Sequence, residues 1–219
     1  MNSSIIQLLV LAGVAVFLIL KLRSVLGTRE GFEKPPIPLD DVRPKSRRDF
    51  EVIEGGPDRD ITDHVPEDSS AAKALAAMKT AESDFSVGTF LSGARSAYEM
   101  ILMGFEKGEI DSVRPFLSLE VAATFDGAVA AREREGLTVE AKFVGMRELV
   151  LQEATFDRDS RTAEITMRFM AELTSVVRNK AGVVVEGRDT EVKRQRDVWT
   201  FARRMGVDDP NWQLVATGD

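Results

Sequence analysis

The spacing of apolar residues changes once along the chain, at Gly136. Before it, Val87, Phe90, Leu91, Ala94, Ala97, Tyr98, Ile101, Leu102 and Phe105 form one continuous stripe at helical spacing. After it, Leu137, Val139, Ala141 and Phe143 alternate with Thr138, Glu140 and Lys142, the period of a strand. Helices followed by consecutive strands with turn signals between them predict an α+β domain, with helices packed on one face of an antiparallel sheet. The strands are long and bent, and the helices offer few stripes to cover them. Such a sheet is expected to curl and enclose a concave apolar cavity.

Local signals set the expected boundaries. Ser69 or Ser70 caps a helix to about Ala81, and Asp84 is expected to cap the long helix that Gly108 stops. Asp111 caps a short turn before Pro115. Ser118 caps a third helix that carries Glu120 in its first turn, turns Val121, Phe125 and Val129 inward and ends at Gly136. The strand phase shifts before Ala154 and Phe156, which predicts a bulge or bend between Gly145 and Gln152. Asp157 to Arg161 reads as a hairpin loop. Ala163, Ile165, Met167, Phe169, Ala171 and Leu173 share one strand face, and Thr162, Glu164, Thr166, Arg168 and Glu172 the other. Asn179 to Gly182 turns into a short strand over Val183 to Gly187. A separate strand runs from Thr190 to Met205, Asp208 to Asn211 turns, and Trp212 to Thr217 closes the sheet.

The N-terminal part follows different rules. After a short tail, residues 1–4, the run 5–22 is apolar except for Gln7, Gly13 and Lys21. Its 18 positions would span about 27 Å as a helix, close to a bilayer core. A cleaved signal peptide would need a positive start, and Met1-Asn2-Ser3-Ser4 has none. The positive charges follow the run instead. They place it as a single-pass inner-membrane anchor, N-terminus out, with the C-terminal domain in the cytoplasm. Residues 23–69 form the expected linker, which holds six of the chain's eight prolines and no sustained period. It serves either as a passive spacer or as a docking strip.

Charge divides this segment. Lys21 to Arg48 carries eight basic and four acidic residues, and Asp49 to Asp68 eight acidic and one basic. Lys21, Arg23, Arg29, Lys34, Arg43, Lys45, Arg47 and Arg48 are therefore candidates for contact with anionic lipid headgroups. The domain from residue 70 to 219 is acidic, so no nucleic-acid partner is expected.

Motifs for chemistry are missing. The chain has no cysteine, and its one histidine, His64, lies in the acidic linker. There is no phosphate-binding loop and no nucleophile elbow. No metal or cofactor is expected, and the reading is non-catalytic, with a buried acid pair left open. The aromatic residues carry more weight. Phe90, Tyr98, Phe125, Phe143, Phe169, Trp199, Phe201 and Trp212 should converge between helices and sheet. They form either an ordinary core or a pocket for an acyl chain or an apolar peptide segment. Ile165 and Met167, on the same strand face as Phe169, join the pocket candidates. On the pocket reading, Phe169→Ala would cost under about 2 kcal/mol. Lys193, Arg194, Arg196, Arg203 and Arg204 read as a solvated strand face, or as a contact for lipid or an acidic partner.

Asp197-Val198-Trp199-Thr200-Phe201-Ala202-Arg203, followed by Pro210-Asn211-Trp212-Gln213-Leu214, is similar to the D-x-W-T-F-x-R … P-x-W-x-L ending of the Tim-forty-four-like domain. That domain is named for the 44-kDa subunit of the mitochondrial inner-membrane translocase. Phe90 to Tyr98 resembles its first long helix, and Phe116-Leu117-Ser118 the lead-in to the next. The apolar run with its proline-rich tether resembles the alphaproteobacterial TimA-type members. The resemblance implies a cone fold similar to nuclear transport factor 2, an apolar pocket and affinity for anionic membranes. It also implies that Trp199, Phe201, Trp212 and Leu214 complete the pocket with Tyr98. The mitochondrial protein recruits a DnaK-like chaperone to a protein-conducting channel. The expected function is thus a membrane-anchored adaptor that binds a protein client, a chaperone or translocation machinery at the cytoplasmic face of the inner membrane. A lipid-binding module for an acyl chain and a ribosome-to-membrane tether are the alternatives, the latter because a mitochondrial ribosomal protein shares the domain.

Overall fold

The computed structural model describes residues 56–218. The expected span at 5–22, its eight basic flanking candidates and the first part of the linker lie outside the described residues. Among the described residues, no helix is long and apolar enough to cross a membrane.

The domain is α+β in the expected order. Helices α1 (Arg59–Thr62), α2 (Ser70–Ala81), α3 (Val87–Lys107), α4 (Ile110–Val113) and α5 (Leu119–Glu135) come first, with a 3₁₀ turn over Arg114–Phe116. Strands β1 (Thr138–Asp157), β2 (Thr162–Arg178), β3 (Val184–Arg204) and β4 (Gln213–Gly218) follow. They pair antiparallel in sequence order. Three serines open the main helices: Ser69, Ser86 and Ser118 accept from the amides of Ala72, Thr89 and Val121 at 3.0, 3.3 and 3.2 Å. Gly108 and Gly136 end α3 and α5 in the left-handed conformation that glycine adopts without strain.

The sheet curls through β1. Its register with β2 slips at three places between Phe143 and Glu153, which spans the bend expected from the phase change. β2 is the central element. Ala163, Ile165, Met167, Phe169, Ala171 and Leu173 all point into the core, as their alternation requires. All but Leu173 share one core with Leu75 and Met78 of α2, Val87, Tyr98 and Ile101 of α3, Phe201 and Leu214 on the same face of the neighbouring strands, and Met205 just past β3.

Several expectations change. The packed domain begins upstream of Ser70: α1 lies inside the expected linker, and Ile61 and Val65 are buried in the core. Asp60 explains why this segment is held. Its carboxylate accepts from the amides of Val87 and Gly88 at 2.8 and 2.9 Å and from the Ser86 hydroxyl at 3.1 Å. The exposed amides at the start of α3 therefore find their anion here. The residue that caps α3 is Ser86, with Asp60 beside it, and not Asp84. Asp111 caps nothing; it lies in the first turn of α4 and pairs with Arg114 at 2.8 Å.

The two strands expected over Val183–Gly187 and Thr190–Met205 are one. β3 runs through a bulge in which Thr174 pairs with Val192 and Ser175 with Arg188. Gly187 makes it possible, since its φ is 75° and a Cβ would sit 2.0 Å from the Ser175 carbonyl oxygen. Glu172 lies on the expected polar face yet is buried. Arg194, directly opposite on β3, and Arg147, extruded by a β1 bulge, close over it at 3.3 and 2.6 Å.

Candidate functional site

The aromatic residues of α3 face a sheet whose cover differs along its length. In the middle, Tyr98 stacks on Phe169, with centroids 4.3 Å apart and planes at 11°. Trp199 packs against both, at 4.6 and 5.7 Å. This cluster fills the space where a single pocket was expected. Tyr98, Ile165, Met167, Phe169 and Leu214 are completely or almost completely buried and line neither of the two openings described next. The pocket expected at these five residues is therefore a packed core. Phe143 joins its edge, 6.4 Å from Tyr98.

The remaining five candidates divide between a groove and a cavity. Phe90, Phe201 and Trp212 line a groove of about 470 Å³ between the start of α3 and the turn into β4. Phe85, Ala94, Ala97 and Phe116 add to its apolar wall. Trp212 meets Phe90 edge-on at 4.7 Å and Phe85 at 6.1 Å. Arg203 closes one side. The sequence placed it on a solvated face, but its side chain is only 8% exposed. It is drawn in by Glu82 at 2.5 Å and lies 5.4 Å over the Trp212 ring. Burial opposes ionisation of Glu82, yet the Gly206 amide and the Arg203 guanidinium together hold its carboxyl below the usual range.

Phe125 and Trp199 line the second opening, a cavity of about 380 Å³ near the end of β4. Leu102 and Phe105 complete its apolar wall, and Gln195 and Asp197 supply its polar one. Phe105 and Phe125 are 4.6 Å apart. Asp197 accepts from the Tyr98 hydroxyl at 2.5 Å and from the Gln195 amide at 3.2 Å. Burial first, and the Asp197 carboxylate second, push the Tyr98 phenol far above its ordinary range. The phenol thus keeps its proton at every ordinary pH and donates a fixed hydrogen bond; it is not poised for proton transfer near neutrality.

Sequence reasoning missed Gln195, Asp197, Leu102, Phe105, Phe85 and Phe116 as lining residues. A signal existed for the first two: counting back by twos from Phe201 through Trp199 reaches Asp197 and Gln195, so they share the inward face. His64 is exposed. Among the described residues, no three His, Cys, Asp or Glu side chains gather as metal ligands.

The family model for the Tim44-like domain matches residues 71–219. The chain belongs to this family. Its members are adaptors associated with protein translocation. No curated protein matches the chain. Among solved structures, it is similar to the crystal structure of the intermembrane space region of chloroplast protein ARC6, with a TM-score of 0.36 and 11% identity over 57% of this chain and 94% of that one. In this Tim44-like domain the two halves of the C-terminal signature serve different openings. Trp199 lines the cavity and Trp212 the groove, while Phe201, between them, faces both the packed centre and the groove.

Proposed function

We propose that this Tim44-like protein is a non-catalytic, membrane-anchored adaptor of the TimA type. It holds a protein client, or a chaperone or translocation component, at the cytoplasmic face of the inner membrane. The observation that carries the reading is the apolar groove at Phe85, Phe90, Phe116 and Trp212. It is a preformed concave surface with an aromatic anchor left partly open, of the kind that receives an apolar segment. In this reading residues 5–22 form the anchor, and Lys21 to Arg48 rest on anionic headgroups.

A photo-crosslinking residue at position 116 of the full chain, in its own membranes, tests the groove. Protein adducts that disappear with Trp212→Ala support the adaptor. Adducts to lipid alone favour an acyl-chain module, and adducts that persist unchanged with Trp212→Ala remove the groove from the function. The anchor has a separate test. Deleting residues 1–25 should move the protein to the soluble fraction; a truncated form that resists carbonate extraction refutes the span.

A further inference from the structure

The 380 Å³ cavity is separate from the groove, and the adaptor reading makes no use of it. Three other part-buried carboxylates of the domain, unlike the one in the cavity's polar wall, are paired with a basic side chain. Glu172 is met by Arg147 and Arg194, Glu82 by Arg203, and Asp60 by Lys79 at 2.8 Å. Asp197 has only neutral partners. The Tyr98 hydroxyl occupies one carboxylate oxygen and the Gln195 amide the other. Among the described residues, no lysine or arginine reaches it within salt-bridge distance. The carboxylate's charge is thus left without a counter-ion inside the protein, and a cationic ligand would supply one.

The rest of the cavity suits the same ligand. The aromatic residues Phe105, Phe125 and Trp199 line the same space as Asp197, and so does Leu102. Aromatic faces attract ammonium and guanidinium groups, most strongly where water is excluded. Phe105 already shows this behaviour on another side: the Arg132 guanidinium lies 4.8 Å from its ring centre, fixed there by bonds to the carbonyls of Phe105 and Glu106. The volume accepts a side-chain-sized group and not a folded segment.

We propose that this cavity binds an organic cation on a short apolar stem, an alkylammonium or alkylguanidinium group, with Asp197 as the counter-ion and Phe105, Phe125 and Trp199 as the cage. Tyr98 and Gln195 position the carboxylate and do not themselves bind the cation.

The test uses the full ¹⁵N-labelled chain in non-ionic detergent. Its two tryptophans give two indole N–H signals, one from a residue lining each opening. Butylammonium should shift the Trp199 signal saturably and leave Trp212 nearly unmoved, while butanol and butyrate should not saturate over the same range. Asp197→Asn should weaken binding about ten-fold or more, and Phe125→Leu about three-fold, as loss of the counter-ion and of one ring require. Tyr98→Phe should retain binding, since it removes a neutral donor and leaves the charge. A short peptide with one lysine among apolar residues separates the sources: tighter binding than butylammonium assigns the site to a polypeptide side chain, and equal binding to a free amine. Saturable binding of butanol with equal affinity, or wild-type affinity in Phe125→Leu together with Asp197→Asn, overturns the proposal. If Asp197→Asn fails to fold, the butanol comparison and Phe125→Leu decide alone.

Discussion

Tyr98 and Phe90 lie on the same stripe of α3, about two turns apart, and their surroundings are opposite. Tyr98 meets Phe169 of β2, a strand paired on both sides, and the two rings are sealed flat against each other. Phe90 meets Trp212, which belongs to the turn before a strand of only six residues, and the pair stays open along one side. The residue types and the helix face are alike. What separates packed core from binding surface is the completeness of the sheet opposite.

The strongest way to break this contrast is Phe169→Ala. With the ring fully buried and stacked, the loss should be about 3–5 kcal/mol in urea unfolding. A loss below about 2 kcal/mol would restore the open pocket at the centre. Next comes Asp60→Ala, which leaves the start of α3, the wall of the groove, without its anion. Three hydrogen bonds and a lysine pair are lost together, and about 2–3 kcal/mol should go with them. A loss within about 0.5 kcal/mol would mean that α1 does not hold the helix.

Trp212→Ala should cost about 1–2 kcal/mol, less than Phe169→Ala, because the ring is already partly in solvent. If its cost equals that of Phe169→Ala, groove and centre are one core. The smallest effect concerns pH. The carboxyls of Glu82 and Asp60 are both held below their unfolded values in the native state. Their stabilisation is complete above the unfolded values, 4.5 for Glu82 and 3.8 for Asp60, and is lost as pH falls through the native values. Glu82→Gln should therefore flatten the fall in stability as pH drops below about 4.5. An unchanged slope would show that the Glu82 pair contributes nothing there.

Periodicity made much of this fold legible. The alternation from Ala163 to Leu173 identified a buried face without error, and Ser118, Gly108 and Gly136 marked helix ends through purely local chemistry. The larger misreadings share a cause, since they depend on a partner far away in sequence. Asp60 holds the first amide of a helix 27 residues on, and Glu82 draws Arg203 inward across 121 positions. Alternation tells which way a side chain points and is silent about what stands opposite. That is why one pocket was expected where a sealed centre and two openings exist. The Gly187 bulge was hidden for a similar reason: glycine there looked like a strand end, and only the Ser175 carbonyl explains it.

The clamp at the start of the domain also has a mechanical meaning. Lys79 of α2 bridges Asp58 and Asp60 at 2.6 and 2.8 Å, and Asp60 in turn grips the first amides of α3. Any tension arriving from the preceding residues is split at Asp58–Asp60 between the end of α2 and the beginning of α3, before it reaches the aromatic centre. A pull on this chain is therefore met first by a small set of charged contacts loaded in parallel, and the domain should yield at that joint while its sheet remains whole.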